Sequence, residues 1–170
     1  IYRHLQKCLY KGLCPKLNTN NSTLPLTTIR GFTFKIFTTM IIDQQLLDSL
    51  TLQAKQNPRL RQAYDLRNSS DDQSQRMLNA LEPGTVLPIH RHRATSEVTS
   101  VVRGRVRQNM YDENGMLIES FEASADGFPN FYVTPCGMWH NTECLESGTI
   151  IFEAKDGAYE PLKAEDIKDV

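Results

Sequence analysis

Three of the four histidines in this 170-residue chain fall in two short segments, Gly84-x5-His90-x-His92-x4-Glu97-x6-Gly104 and Pro135-x-Gly137-x2-His140. Neutral imidazole and carboxylate are borderline-to-hard donors that suit first-row divalent ions. On an extended strand, His90 and His92 turn their rings to one side, and Glu97 arrives from the next strand. Pro135 and Gly137 make a turn that sends in His140 from a distant part of the chain, so the four donors meet only in the folded protein. His90, His92, Glu97 and His140 are therefore the expected ligands of one divalent transition metal, for which Fe, Mn, Zn, Ni and Co are all suitable. Three neutral imidazoles and one carboxylate leave a bound dication with net positive charge, which favours an anionic or enolisable oxygen at any open position.

Short β-like runs between turn residues carry these donors: 76–82, 87–92, 97–103, 105–111, 116–122, 130–134, 138–144 and 149–155. Asp112-Glu-Asn-Gly115 is a hairpin connection, with Asn-Gly as its strongest signal. Eight short strands with close turns predict a sandwich or barrel rather than a βαβ fold. Upstream, Asp43 can cap a helix whose apolar positions Leu46, Leu47, Leu50 and Ala54 repeat at helical spacing, and Asn57-Pro58 ends it. A short second helix is expected from Pro58 to about Tyr64, and the stretch 161–168, opened by Pro161, is expected to form one or two helical turns.

The two histidine segments resemble the paired motifs of the cupin superfamily. The first matches at every position; in the second, seven residues rather than five separate Gly127 from Pro135, and Cys144 stands where the family often has Asn. The resemblance implies a mainly β protein, a double-stranded β-helix (cupin jelly-roll) barrel with N-terminal helices and one metal. The longer run from Asp43-Gln-Gln-Leu-Leu-Asp through Asn57-Pro58-Arg59 and Gln75-Arg-Met-Leu-Asn-Ala-Leu-Glu-Pro-Gly84 is similar to the WbuC family of cupin-fold metalloproteins, roughly over residues 40–170. That resemblance implies a setting in bacterial surface-polysaccharide metabolism, without a settled reaction. The expected organisation is an extension over 1–39 outside the native fold, a helical segment over 40–75, a barrel over 76–160 and a tail over 161–170.

In such a barrel the metal sits near one mouth, and inward-facing neighbours shape a pocket for a small-molecule ligand. Thr99, two residues after Glu97, is the first candidate for contacting it, followed by Asn79, Arg76, Tyr64 and Arg67. Arg91, Arg93 and Trp139 alternate with the histidines and are expected to face away from the metal. The leading functional reading is an enzyme of isomerase or epimerase type acting on a small sugar-derived or acidic substrate. A metal-dependent dioxygenase and a non-enzymatic binding module stay open, because the donor set and the fold do not dictate the reaction.

A composition of 39% hydrophobic and 23% charged residues is that of an ordinary single domain, large enough to build a core without disulfide staples. The net charge of −1 hides an asymmetry, since residues 1–39 carry six Lys/Arg and no Asp/Glu, leaving thirteen basic against twenty acidic residues from 40 onward. Met40 is read as the natural start. The preceding segment is then upstream translation, an expression artefact, a genuine extension or, from its basic and acid-free composition, a transit peptide. An acidic domain with scattered basic residues argues against a nucleic-acid partner. No run of 18 apolar residues exists, so no membrane-spanning helix is expected and the location is read as cytoplasmic. Homodimerisation through edge strands is compatible with a small barrel.

Cys136-x3-His140-x3-Cys144 has a spacing that invites a zinc reading, with Cys144 on the side of His140. A small buried thiol packing the barrel is preferred, and disulfides are not expected. Cys8, Cys14 and His4 lie in the extension and are given no role.

Overall fold

The computed structural model describes residues 39–168 and, as backbone, two strands before them, β1 (Leu26–Ile29) and β2 (Phe32–Lys35). These two pair antiparallel as a hairpin that belongs to a separate unit, Ile1–Ile41. His4, Cys8 and Cys14 fall outside the described residues.

In the main unit, helix α1 spans Gln44–Gln56. The side chain of Asp43 starts it by accepting a 3.0 Å hydrogen bond from the Leu46 amide, which satisfies one of the amides that a helix leaves unpaired at its first turn. Leu47, Leu50 and Ala54 are its buried face. The expected second helix does not form, and Arg61–Asp65 is instead a strand, β3. Leu60 has a left-handed φ of 54°, which no helix accommodates, and its carbonyl accepts from the Glu82 amide at 3.0 Å. Pairing with β4 (Ser74–Leu81) supplies backbone partners that outweigh local helical preference.

The remaining strands are β5 (Ile89–His90), β6 (Glu97–Arg103), β7 (Arg105–Tyr111), β8 (Leu117–Ser124), β9 (Phe131–Thr134), β10 (Trp139–Cys144), β11 (Thr149–Asp156) and β12 (Ile167–Lys168). They form two antiparallel five-stranded sheets, in the orders β12-β5-β10-β7-β8 and β3-β4-β11-β6-β9, the jelly-roll arrangement that the resemblance implied. The C-terminal stretch contains a single 3-10 turn, Ala164–Asp166, and then adds β12 to the sheet edge beside β5. That edge is held by the buried Asp166 carboxylate, which accepts from Nε of Arg91 at 2.9 Å and Nε of Arg93 at 2.5 Å.

Two apolar clusters result from the period-two alternation of the strands. Leu81, Val101, Val106, Ala123, Tyr132, Cys144 and Ile151 pack inside the barrel, while Leu78, Ala80 and Ile150 face outward under Leu47, Leu50 and Ala54 of α1. Arg103 fastens the helix from the side, reaching Asp48 at 2.7 Å and the Leu47 carbonyl at 3.1 Å. Gly104, with φ of 76°, turns β6 into β7; a Cβ there would stand 2.9 Å from the Thr149 Cα, too close for any side chain. Ile150 is fully buried under α1. Ile150→Ala is expected to cost about 3 kcal/mol through lost burial and the cavity left behind, read as a lower urea midpoint with unchanged slope.

Candidate metal centre

Strand register brings the donors together. β5 and β10 run antiparallel with His90 directly opposite His140, and their ring centroids are 4.4 Å apart. The run expected over 87–92 is a strand only at Ile89–His90, so alternation alone does not aim His92. The backbone places it instead: the His92 carbonyl accepts from the Gly137 amide at 2.8 Å, which ties the His92 loop to the Pro135–Met138 turn that launches β10. The His92 ring lies 5.0 Å from that of His90 and 5.7 Å from that of His140. Glu97 opens β6 and is buried at 5% exposure. One donor atom from each of His90, His92, Glu97 and His140 lies within 4.8 Å of all the others.

The tautomers are set from behind. His90 Nδ1 is 3.1 Å from the Pro88 carbonyl and His140 Nδ1 is 2.8 Å from the Met138 carbonyl. A carbonyl only accepts, so both Nδ1 atoms carry the proton and both Nε2 atoms present a lone pair. Nε2 of His92 and of His140 are buried without a hydrogen-bond partner among the described residues. His92 Nε2 does come within 3.2 Å of Glu97 Oε2, but without hydrogen-bond geometry. Buried polar atoms left unpaired cost free energy, and lone pairs aimed at a common point beside a carboxylate are what a divalent ion needs. These residues fit a metal, and His90, His92, Glu97 and His140 could hold one.

Charge at the site is balanced by a group that sequence spacing does not flag. Lys155 on β11 places Nζ 2.6 Å from Glu97 Oε2 and 4.0 Å from Glu153 Oε2. Burial works against the charge of Glu97, but His92, Lys155 and His140 together outweigh it and hold the carboxyl well below its ordinary range. Burial likewise depresses both histidines, His90 to about 4, with the neighbouring imidazoles adding to the effect. Glu153 moves the other way, up to about 7, because it is desolvated and faces Glu97.

An open cleft of about 1120 Å³ reaches the four donors and is lined also by Arg59, Arg61, Asn79, Glu153 and Lys155. A smaller recess of about 310 Å³ adjoins it, with Arg67 and Tyr159 on its wall. Of the residues expected to contact a ligand, Asn79 and Arg67 thus line the cavity; Asn79 donates to Glu153 at 2.9 Å, and Arg67 is forked onto Asp65 at 2.7 Å. Thr99 is buried beside Glu97, its hydroxyl 3.4 Å from Oε1, and borders neither cavity. Tyr64 and Arg76 are corrected by strand parity. On β4 the odd positions 75, 77 and 79 line the cavities, whereas Arg76 points with Leu78 and Ala80 to the helix side and pairs with Asp72 at 2.6 Å. Tyr64 packs against the same outer cluster. Glu153 and Lys155 were overlooked, although two charged residues at inward parity on an apolar strand were the signal for them.

Arg91 and Arg93 pair with Asp166, and Arg91 stacks 4.3 Å over Trp139; both arginines nonetheless border the same cleft. Cys144 is a buried thiol in the barrel cluster and Cys136 is exposed, and neither is in a disulfide.

A family model described as a domain of unknown function, DUF6016, matches residues 42–123. A search of curated proteins returns no match. Among solved structures, CapF with the inhibitor 3-isopropenyl-tropolone superposes with a TM-score of 0.52 at 21% identity, over 64% of this chain and 31% of that one. This is the cupin fold. KdgF from Halomonas sp. has a TM-score of 0.48 at 17% identity, over 61% of this chain and 84% of its own. Oxalate decarboxylase from Bacillus subtilis has a TM-score of 0.47 at 18% identity, over 65% and 27% respectively. The chain thus spans about a third or less of CapF and of the decarboxylase. No helix among the described residues is long and apolar enough to cross a membrane.

Two outcomes are expected of the donors. His92→Ala removes one of four ligands and should reduce bound metal, measured by elemental analysis, from about one equivalent to a small fraction; full occupancy in that variant would refute the ligand set. In the metal-free protein, the unfolded chain takes up protons near pH 6.5 that folded His90 refuses until about pH 4. Stability should be insensitive to this group above about pH 7 and fall by roughly 2 kcal/mol between pH 6.5 and 4. Urea midpoints across that range check it, and a midpoint rising on acidification would contradict the sign.

Proposed function

We propose that this protein is a mononuclear metal-dependent enzyme that moves a proton on a small, oxygen-rich substrate, sugar-derived or acidic, in the manner of an isomerase or epimerase. The observation that carries the reading is the juxtaposition, in one open cleft, of the four-donor cluster with the Glu153 carboxylate and the Lys155 ammonium. A divalent ion held by His90, His92, Glu97 and His140 would supply Lewis-acid stabilisation of negative charge developing on a substrate oxygen.

The chain's own groups do the rest. Glu153, poised near neutrality by burial and by Glu97, can take a proton from carbon and return it, since a general acid–base works best with a pKa near the working pH. Asn79 holds that carboxylate by donating to Oε2, and so fixes which oxygen is free. Lys155 keeps Glu97 anionic while presenting a cation at the cleft wall. The similarity to the WbuC family over residues 40–170 supports a substrate from bacterial surface-polysaccharide metabolism.

Metal-loaded protein in D2O is to be incubated with nucleotide sugars and keto acids and followed by proton NMR. Expected is deuterium incorporation at the carbon next to the carbonyl, slowed about 100-fold in Glu153→Gln with metal content unchanged. Ligand-induced thermal stabilisation without exchange or turnover would replace the enzyme by a binding module, and oxygen consumption with a ferrous ion would replace it by a dioxygenase.

A further inference from the structure

Nine arginines lie between residues 39 and 168, and seven of them have a carboxylate within 4.0 Å: Arg67 on Asp65, Arg76 on Asp72, Arg91 and Arg93 on Asp166, Arg103 on Asp48, Arg105 and Arg107 on Glu122. The other two are Arg59 and Arg61, which have no such partner among the described residues. Both line the cleft that contains the metal ligands. Arg61 is half-buried, and its one side-chain hydrogen bond among the described residues is a long one, 3.5 Å from Nη1 to the Val86 carbonyl. Burial disfavours its charge, and so does the like charge of Arg59; Glu153 attracts it across the cleft without reaching ion-pair distance.

The backbone beneath them is fixed. The Asn57 side chain accepts from the Arg59 amide at 2.9 Å, the Arg59 carbonyl accepts from the Thr85 hydroxyl at 2.7 Å, and Leu60 between the two arginines is held at its left-handed φ of 54°. A strained residue persists only where its surroundings over-determine it, and such positions cluster at ligand sites. The two guanidinium groups stand two positions apart in the chain without a counterion, Arg59 exposed and Arg61 half-buried, so they repel each other and Arg61 loses hydration, which is unfavourable unless an oxyanion joins them.

We propose that Arg59 and Arg61 form a clamp for the phosphate or carboxylate group of the substrate. This rests on the metal-enzyme reading and narrows it: the substrate carries oxygen donors at one end and an anionic group at the other. Val86, to which Arg61 reaches, stands four residues before His90, a span of at most about 13 Å in extended chain. A sugar-sized molecule with a terminal phosphate or carboxylate covers it.

The test uses the full chain, with inorganic phosphate and malonate as probes in calorimetric titrations at constant ionic strength. Elemental analysis of the same samples reports the metal separately. The expected result is binding of at least one of the two anions, weakened tenfold or more in Arg59→Gln/Arg61→Gln with metal content unchanged and the melting temperature of the anion-free protein not lowered, and partly restored by Arg61→Lys. Which probe binds tighter separates a phosphate ester from a carboxylic acid as the natural group. No binding of either anion, or equal affinity in the double variant, overturns the clamp. Binding lost in His92→Ala but retained in the arginine variant places the anion on the metal and overturns it as well. Arginine-dependent binding by wild-type protein that holds no metal would sustain the clamp and sink the metal centre.

Discussion

The antiparallel register of β5 with β10 is the constraint from which the rest of the site follows. It sets His90 opposite His140 although fifty residues separate them, and a shift by one residue would turn one ring to the other face of the sheet. The register has no long ladder of its own, because β5 is only two residues long. It is imposed from both flanks: β12 pairs with β5 on one side, β7 with β10 on the other, and Asp166 gathers Arg91 and Arg93 so that the histidine segment cannot slide. The C-terminal strand, remote in sequence from every donor, thereby belongs to the mechanics of the four-donor cluster.

Three imidazoles and a carboxylate in a protein interior are electrostatically unfavourable unless each charge or lone pair is answered. Two answers are visible. Carbonyls of Pro88 and Met138 take the Nδ1 protons, which commits the opposite nitrogens to a single direction, and Lys155 takes up the charge of Glu97. Lys155 comes from β11, whose neighbour on one side is β6, with Lys155 directly opposite Glu97. The pair is therefore a cross-strand contact built into the register, and the centre is ordered by the same ladder that closes the barrel.

How much of this could be read from the sequence follows from what spacing encodes. His90, His92, Glu97 and His140 were legible because the motif fixes residue types and intervals together, and the strand boundaries were legible to within about two residues because turns such as Asp112–Gly115 punctuate them. His92 joins the cluster by a route other than the expected strand alternation, since a loop hydrogen bond from the Gly137 amide holds its backbone. The second helix failed because a tertiary partner, the edge of β4, competes for Arg61–Asp65 and no local signal reveals that partner. Arg76 and Asn79 are both expected to face the ligand, yet positions of opposite parity on one strand cannot do so, and strand alternation separates them. Glu153 and Lys155 lie outside the motif's intervals, because the barrel brings in residues from β11 by strand pairing.

β11 also explains how one small barrel can be both stable and chemically equipped. Its inward positions read Thr149, Ile151, Glu153 and Lys155 in order, so burial gives way to charge along a single strand. At the Ile151 level the interior is filled by Leu81, Val101 and Val106. A polar layer comes next, in which the fully buried Gln108 accepts from Tyr132 at 3.1 Å and from Thr142 at 2.7 Å and donates to Thr134 at 3.4 Å. This layer matters because the apolar plug could not border an ionised cluster directly without leaving charges desolvated and unpaired. The Gln108 carbonyl and amide satisfy groups that would otherwise be orphaned, so a layer of paired polar groups separates the apolar cluster from the cleft. Core packing is thus concentrated at one end of the strands and the four candidate donors at the other, which lets the unfavourable electrostatics of that cluster be carried by hydrophobic contacts that never touch it.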